Sequence, residues 1–177
     1  SPVIFYLFFL STGFGKDLHI TRTGYIEFFS TTPIEDIKAV NNQVSCVLDK
    51  NSGSFAFQVP IKAFTFKNAL MQEHFNESYL ESDIYPKSTF KGKILNWKDV
   101  KLTDQPQDIK IEGELMMQGI KKSIIEMGSI SQQNSDILGQ CVFSVALRDF
   151  DIKIPKIVRE NIAEVIEVTV KVDLAKK

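Results

Sequence analysis

Alternating hydrophobic and polar positions recur along the chain in short segments separated by turn signals. Alternation with a period of two is typical of β-strands that bury one face. Turn signals lie at Pro33, in Asp49-Lys-Asn-Ser-Gly53 and in Ser131-Gln-Gln-Asn-Ser-Asp136. The predicted strand segments are residues 25–30, 44–48, 55–60, 88–95, 98–102, 109–117, 122–130, 141–147, 152–154 and 165–174.

The series contains about eight strands of a size and spacing that favour a sandwich or a barrel. Residues 109–117 alternate most regularly, with apolar side chains or glycine at each odd position. An eight-stranded barrel has an interior that side chains just fill, or that holds one small ligand. We therefore predict an all-β fold, an antiparallel eight-stranded β-barrel.

One segment, between Phe64 and Gly92, has helical rather than strand periodicity. At helical spacing one face is apolar and the other polar, and Pro86 cannot continue a helix. A single amphipathic helix among strands has to cover apolar surface of the sheet. We predict one helix that covers part of the barrel, and with it an interior cavity. The apolar face comprises Phe66, Leu70, Met71, Phe75 and Tyr79.

Composition narrows the class of protein. The 177 residues suffice for one domain with a substantial core, and 44% hydrophobic with 24% charged residues is typical of globular proteins. With 21 Lys and Arg against 22 Asp and Glu, the chain has no basic surplus for binding nucleic acid. We found no internal repeat and no linker, which indicates a single domain.

The first residues form an uninterrupted apolar run, residues 3–10, followed by Ser11-Thr-Gly-Phe-Gly15. The run is far shorter than a membrane-spanning helix, so we predict no integral membrane segment. It fits the apolar core of a secretory signal, with small residues near the cleavage position; a first β-strand is the alternative. We interpret residues 1–18 as the remnant of an export signal and residues 19–177 as the barrel domain, and predict a periplasmic or secreted location.

Candidate catalytic and metal-binding residues are few. The chain has two histidines, His19 and His74, and lacks a Gly-rich phosphate loop, a CxxC and an HExxH motif. Cys46 and Cys141 permit one disulfide or two buried thiols, and do not form a metal-binding pattern. We predict no enzymatic activity, no cofactor and no metal site.

Three motifs resemble the YceI-like family of bacterial periplasmic proteins. The first is the helix followed by Tyr79-Leu-Glu-Ser-Asp-Ile-Tyr-Pro86 and Ser88-Thr-Phe90. The second, Gly113-Glu-Leu-Met-Met-Gln-Gly-Ile-Lys-Lys122, is similar to the family's Gly-x-Leu-Thr-x-x-Gly-Val-Thr-Lys hairpin. The third, Arg148-Asp-Phe-Asp-Ile152, is similar to a late Arg-x-Asp-Phe-Gly segment. They occur in the family's order between residues 23 and 174.

The chain departs from these motifs at Met116 and Lys121, where the family usually has Thr, and at Asp151, where it usually has Gly. The resemblance implies an extended lipocalin-like barrel of a YceI-like domain, exported, with an interior that holds a polyisoprenoid chain in some members. The departures bear on the identity of the ligand more than on the fold.

A hydrocarbon chain needs a concave apolar lining, because burial of an unpaired polar group is costly. Aromatic and Met side chains offer such a lining. We therefore predict sequestration of a long-chain apolar lipid, polyisoprenoid or fatty-acid-like, inside the barrel. The alternative is an exported stress-related or structural protein with a filled barrel that acts through protein–protein contacts; the sequence leaves a homodimer open. The predicted ligand-binding residues are Phe28, Phe55, Phe57, Phe66, Leu70, Met71, Phe75, Tyr79, Phe90, Leu115 and Met117.

Overall fold

The structure is a computed structural model that describes residues 16–177. These residues form nine strands: β1 Leu18–Thr31, β2 Asp36–Asp49, β3 Ser54–Pro60, β4 Thr65–Phe66, β5 Lys87–Ile94, β6 Gln107–Met117, β7 Ile120–Gln133, β8 Asp136–Ala146 and β9 Val165–Lys176. Helix α1, Ala69–His74, continues into a π-helical turn, Phe75–Tyr79; four 3-10 turns are Ile61–Ala63, Trp97–Asp99, Leu147–Phe150 and Lys156–Val158. Of the predicted export signal, residues 1–15 lie outside the described residues.

The strands close into an antiparallel barrel. Their order around the wall is β1-β9-β8-β7-β6-β5-β3-β2, and β1 pairs with β2 to complete the circle. The short β4 adds two residues beside β2. The prediction of an eight-stranded all-β barrel is therefore confirmed. β1 begins at Leu18, one residue before the predicted start of the barrel domain.

Alternation sets which side chains face inward, as the β6 strand shows. Ile109 and Leu115 are buried, whereas Lys110, Glu112 and Glu114 between them are exposed. A sheet with one solvated face requires this period of two. The alternating positions in the sequence thus identify the interior of the barrel.

Two predicted strands are wrong. Residues 98–102 begin within the 3-10 turn Trp97–Asp99 and continue as a loop. The Trp97 indole N–H donates to the Lys50 carbonyl at 2.7 Å and holds this segment against the end of the barrel. Residues 152–154 lie in a loop between a 3-10 turn and β9. Apolar residues in both segments fill space without joining the sheet.

The helix is shorter than predicted. Asn68 caps it, since its side chain accepts hydrogen bonds from the backbone N–H groups of Leu70 and Met71. Phe66 therefore precedes the helix and belongs to β4, opposite Ala39 of β2. α1 itself has no buried residue, and Phe75 is the buried residue of the π-helical turn.

Two apolar clusters divide the interior along the barrel axis. The packed half contains Cys46, Leu48, Phe55, Ile94, Ile109, Ile130, Ile137, Val172 and Leu174. The cavity half, at the end covered by the helix, contains Ile26, Ala39, Val44, Val59, Ile61, Phe64, Phe75, Leu80, Leu115, Val145, Phe150 and Ile152. Phe57, Phe90 and Val170 pack against both clusters and form the boundary.

Candidate ligand-binding cavity

An apolar cavity of about 200 Å3 lies in the cavity half. Strands from around the barrel contribute to its lining, together with the helical segment and the loop before β9. None of the buried residues of the packed half lines it. Seven of the 14 phenylalanines take part: Phe28, Phe57, Phe64, Phe66, Phe75, Phe90 and Phe143.

Nine of the eleven predicted ligand-binding residues line this cavity. The prediction drew on strand alternation and on the helical apolar face, and both bring residues to the same space. They are Phe28, Phe57, Phe66, Met71, Phe75, Tyr79, Phe90, Leu115 and Met117.

Leu70 and Phe55 lie elsewhere. Leu70 is 58% exposed, so its predicted place on the covered face is wrong. The helix begins only one residue earlier and is anchored through Phe75, which leaves Leu70 on the outer side. Phe55 does point inward, but in the packed half, with its ring 5.4 Å from that of Phe90. Alternation predicts on which face of a strand a side chain lies, but not its position along the barrel axis.

A cluster of four phenylalanine rings lies beneath the helical segment. Phe75 is central: its ring centroid is 5.0 Å from that of Phe66, 5.2 Å from that of Phe28 and 5.5 Å from that of Phe64. Aromatic pairs at such separations are stabilising beyond their buried area. This cluster joins the helical cover to β1 and β4 and forms one end of the cavity.

Two serine hydroxyls in the lining have hydrogen bonds in the wall of the barrel. The Ser88 hydroxyl donates to the Met116 carbonyl at 2.6 Å, and the Ser30 hydroxyl accepts from the Ala163 backbone N–H at 2.9 Å. A hydroxyl that already has a partner makes no demand on a ligand. The surface presented to the cavity therefore suits hydrocarbon.

Both cysteines are free, one in each half of the barrel. Cys46 is buried in the packed half, and burial raises the pKa of its thiol far above the ordinary value. Cys141 lines the cavity; partial burial, and secondarily the negative charge of Glu126, raise its pKa to about 11. At neutral pH both thiols are uncharged, so neither cysteine brings a charge into the interior.

The loop after the helix is fastened to the turn between β6 and β7. The Gln118 side-chain amide donates to the Glu81 carboxylate at 2.8 Å. Tyr85 lies against Gly119, where a Cβ would come within 2.9 Å of the ring and where φ is +76°. Two of the family-like motifs thus meet in space, and their contact holds the helical segment over the barrel end.

Sequence reasoning missed part of the lining. Ile166, Val168 and Val170 occupy alternate positions of β9, and their alternation could have identified them. Ile154 and Ile162 lie in the loop before β9, where no periodicity signals an inward side chain.

The described residues offer little for catalysis. His19 lies in β1 and is 2% exposed, with its Nδ1 atom 3.7 Å from Asp17 Oδ1. Across residues 16–177, His, Cys, Asp and Glu form no group of three that could hold a metal ion. Within the same range, the helices are all too short or too polar to cross a membrane.

Solved structures of other proteins share the fold. A polyisoprenoid binding domain from Saccharophagus degradans, implicated in plant cell wall breakdown, superposes with a TM-score of 0.79 at 10% identity, covering 92% of this chain and 100% of that domain. BcnA of Burkholderia cenocepacia gives 0.71 at 12% identity, covering 86% and 96%. The YCEI protein of Campylobacter jejuni gives 0.60 at 18% identity, covering 77% and 82%.

No curated protein matches the chain in sequence. The family pattern of the YceI-like domain, in contrast, matches residues 20–174, which is nearly the whole described barrel. The chain belongs to the YceI-like family.

Proposed function

We propose that the protein binds a long apolar ligand, polyisoprenoid or fatty-acid-like, inside the barrel and shields it from water. The observation that carries the proposal is the cavity: an interior space lined mainly by aromatic and aliphatic side chains, in which the hydroxyls of Ser30 and Ser88 are already hydrogen-bonded. Such a lining favours hydrocarbon over polar molecules. The function is binding rather than catalysis.

The ligand class is supported by the apolar lining and by the fold. The structurally similar domain from Saccharophagus degradans is described as polyisoprenoid binding. Polyisoprenoids are therefore the first class to test, and fatty acids the second.

The cavity volume sets a condition on this function. About 200 Å3 is below the roughly 300–1,000 Å3 of sites for drug-sized ligands. About six buried methylenes would contribute about 5 kcal/mol, which is comparable to the cost of association. Firm retention of a long chain therefore requires the cavity to widen when the ligand binds.

The helical cover is the element suited to move. α1 contributes no buried residue, and Met71 and Tyr79 are only half-buried. Displacement of the Phe75 ring from its three neighbours would lengthen the cavity toward the barrel end. We infer that ligand binding displaces this segment while the packed half keeps its structure.

We propose in addition that the protein is exported. A protein that carries a lipid through water belongs in an aqueous compartment such as the periplasm, and the apolar run at residues 3–10 suits a secretory signal. The homodimer remains a prediction.

Native purification from a bacterial host, extraction with organic solvent and mass spectrometry test the proposal. We expect about one long-chain apolar lipid per protein chain, or binding of a fluorescent C20 prenol when the protein is stripped of lipid. An empty extract together with no prenol binding would contradict the proposal and favour a filled barrel that acts through its surface.

A pair of variants on β9 supplies the control. Val168→Phe adds a ring inside the cavity and should reduce prenol binding, because it occupies the space of the ligand. Thr169→Phe adds the same ring one residue later, on the outer side of the strand, and should leave binding unchanged. Equal binding by both variants would show that the prenol binds outside the barrel.

A further inference from the structure

The barrel wall is interrupted beside the cavity. β7 and β8 are paired only from Gly128–Cys141 to Gln133–Asp136, in the packed half. In the cavity half, residues 120–127 of β7 pair with β6, and residues 142–146 of β8 pair with β9. Each strand is thus held on its far side, while no ladder joins the two in the part of the chain that the structure describes. We name this gap the β7–β8 slit.

Apolar side chains are exposed on both edges of the slit. Ile125 and Met127 on β7 are each 55% exposed, and Val142 on β8 is 49% exposed. If the register continued past its last pair, Met127 would lie opposite Val142. Three large apolar side chains at one site on the outer wall form a surface that an apolar chain can contact before it enters.

Inward-facing residues along the slit retain contact with solvent. Glu126 is paired with Ile111, and because paired residues share a face of the sheet, its side chain leaves on the cavity side. It is nevertheless only half-buried, as is Phe143 on the opposite strand. A carboxylate that points inward needs water or a partner. The part of Glu126 that remains exposed lies at the edge of the slit, which indicates a connection between the inward face and solvent.

The slit leads directly to the lining of the cavity. Cys141, at the point where the strands part, and Phe143, the next inward residue of β8, both line the cavity. The Cys141 thiol donates to the Met127 carbonyl at 3.2 Å, which marks the last contact between the strands. An apolar chain that passes between Ile125 and Val142 therefore reaches the cavity beside Phe143.

We propose that the β7–β8 slit is a lateral portal through which the apolar chain of the ligand passes between the cavity and the outside. This inference rests on the proposed function, since a portal requires a ligand. In this arrangement the helical segment is displaced to enlarge the cavity, while passage through the slit sets the rate of exchange. The open edges of two strands, which proteins usually protect, are here kept apart for passage.

Crosslinking across the slit tests the portal. Ile125→Cys with Ser144→Cys, made in a Cys141→Ala background, places thiols on the two edges. Bismaleimidoethane then bridges them over a longer span than a disulfide allows. We expect the crosslink to slow uptake of a fluorescent C20 prenol by at least about tenfold relative to the same protein before crosslinking, with the bound amount at equilibrium retained.

Two matched crosslinks complete the comparison. Ser129→Cys with Gln140→Cys joins the same strands where they are already paired, and Glu81→Cys with Gln118→Cys fastens the loop after the helical segment to the turn between β6 and β7. The Ser129–Gln140 crosslink should leave the uptake rate within about twofold. The Glu81–Gln118 crosslink should lower the amount bound at equilibrium, because the helical segment has to move for the cavity to widen, but it should slow uptake less than the slit crosslink does. A slit crosslink without effect on the uptake rate, or a Glu81–Gln118 crosslink that slows uptake more than the slit crosslink does, would overturn the portal and leave the proposed function intact. Absence of prenol binding before any crosslinking would overturn both.

Amide hydrogen exchange tests the slit independently of any ligand and of the crosslinking yield. In a strand paired on both sides all amides are protected, whereas a strand paired on one side leaves alternate amides open. We expect alternate fast-exchanging amides at residues 121–127 and protection throughout 128–130, where β7 is paired with both β6 and β8. Uniform protection of both segments would show a continuous ladder and would contradict the portal.

Discussion

The two halves of the barrel use the same alternation of inward and outward residues but differ in what they enclose. In the packed half, apolar side chains fill the interior, the ring of Phe55 contacts those of Phe57 and Phe90 at the boundary, and Trp97 packs against this cluster. In the cavity half, the interior is bounded by the helical segment and by the loop before β9, neither of which belongs to the sheet.

Closure of the wall differs in the same way. β7 and β8 are paired along the packed half and separate in the cavity half. The comparison teaches that a hollow interior needs no special strand pattern. It arises where non-sheet segments close one end and where the ladder is interrupted. In the proposed function, the packed half keeps its structure while the cavity half changes shape.

The largest expected effect concerns a side chain of the packed half. Phe55→Ala removes a ring that is 7% exposed and contacts the rings of Phe57 and Phe90. We expect the free energy of unfolding to fall by about 3–5 kcal/mol, measured by urea denaturation. Prenol binding by the folded fraction should be retained, and a stability loss below about 1 kcal/mol would show that this half is not well packed.

A larger side chain should destabilise the protein more in the packed half than in the cavity half. Ile137→Phe, at a position that is 0% exposed in the packed half, is expected to lower the free energy of unfolding by about 1–3 kcal/mol. Val168→Phe, in the cavity lining, should change stability by less than about 1 kcal/mol, because the added ring enters existing space. Equal losses in thermal or urea denaturation would contradict the distinction between the halves.

The reaction rates of the two thiols distinguish the two halves of the barrel without a measurement of stability. Cys141 should react with a maleimide slowly near neutral pH, and faster by about tenfold per pH unit until its pKa of about 11 is reached, because the thiolate is the reactive form. Cys46 should react only when the protein unfolds, since it is 3% exposed. Bound prenol should protect Cys141; equal rates with and without prenol would place the ligand away from this wall.

The smallest effect is expected at Leu70. Leu70→Asn should change the free energy of unfolding by no more than about 0.5 kcal/mol and should leave prenol binding unchanged, because the side chain faces solvent. Met71→Asn, at the next position, places an amide in the cavity lining and should weaken binding. Matching effects of the two variants in the same titration would mean that the helix is oriented differently.

The fold was largely predictable because alternation and turn residues act locally. The Asp49–Gly53 turn illustrates this: the Asp49 carboxylate accepts from the Asn51 N–H, and Gly53 takes a φ of +77°. The path of the segment around Trp97 was not predictable, since it depends on a hydrogen bond to Lys50, which is distant in sequence.

The candidate site was predictable in its side-chain chemistry but not in its geometry. Phe55 and Phe57 both point inward from β3. Their different positions along the barrel axis, which alternation does not predict, place Phe57 at the cavity and Phe55 in the packed half. The sequences of β7 and β8 do not indicate the slit between them, because both remain regular strands that are paired on their other side.

A crystal structure of the protein loaded with a C20 prenol would test the central claim most directly. We predict density for the prenyl chain in the cavity half, between Phe75 and Leu115 and ending above Phe57 and Phe90, with the packed half unchanged. A cavity without density, or a chain bound on the outer wall, would contradict the account that the hollow half of this barrel is the binding site.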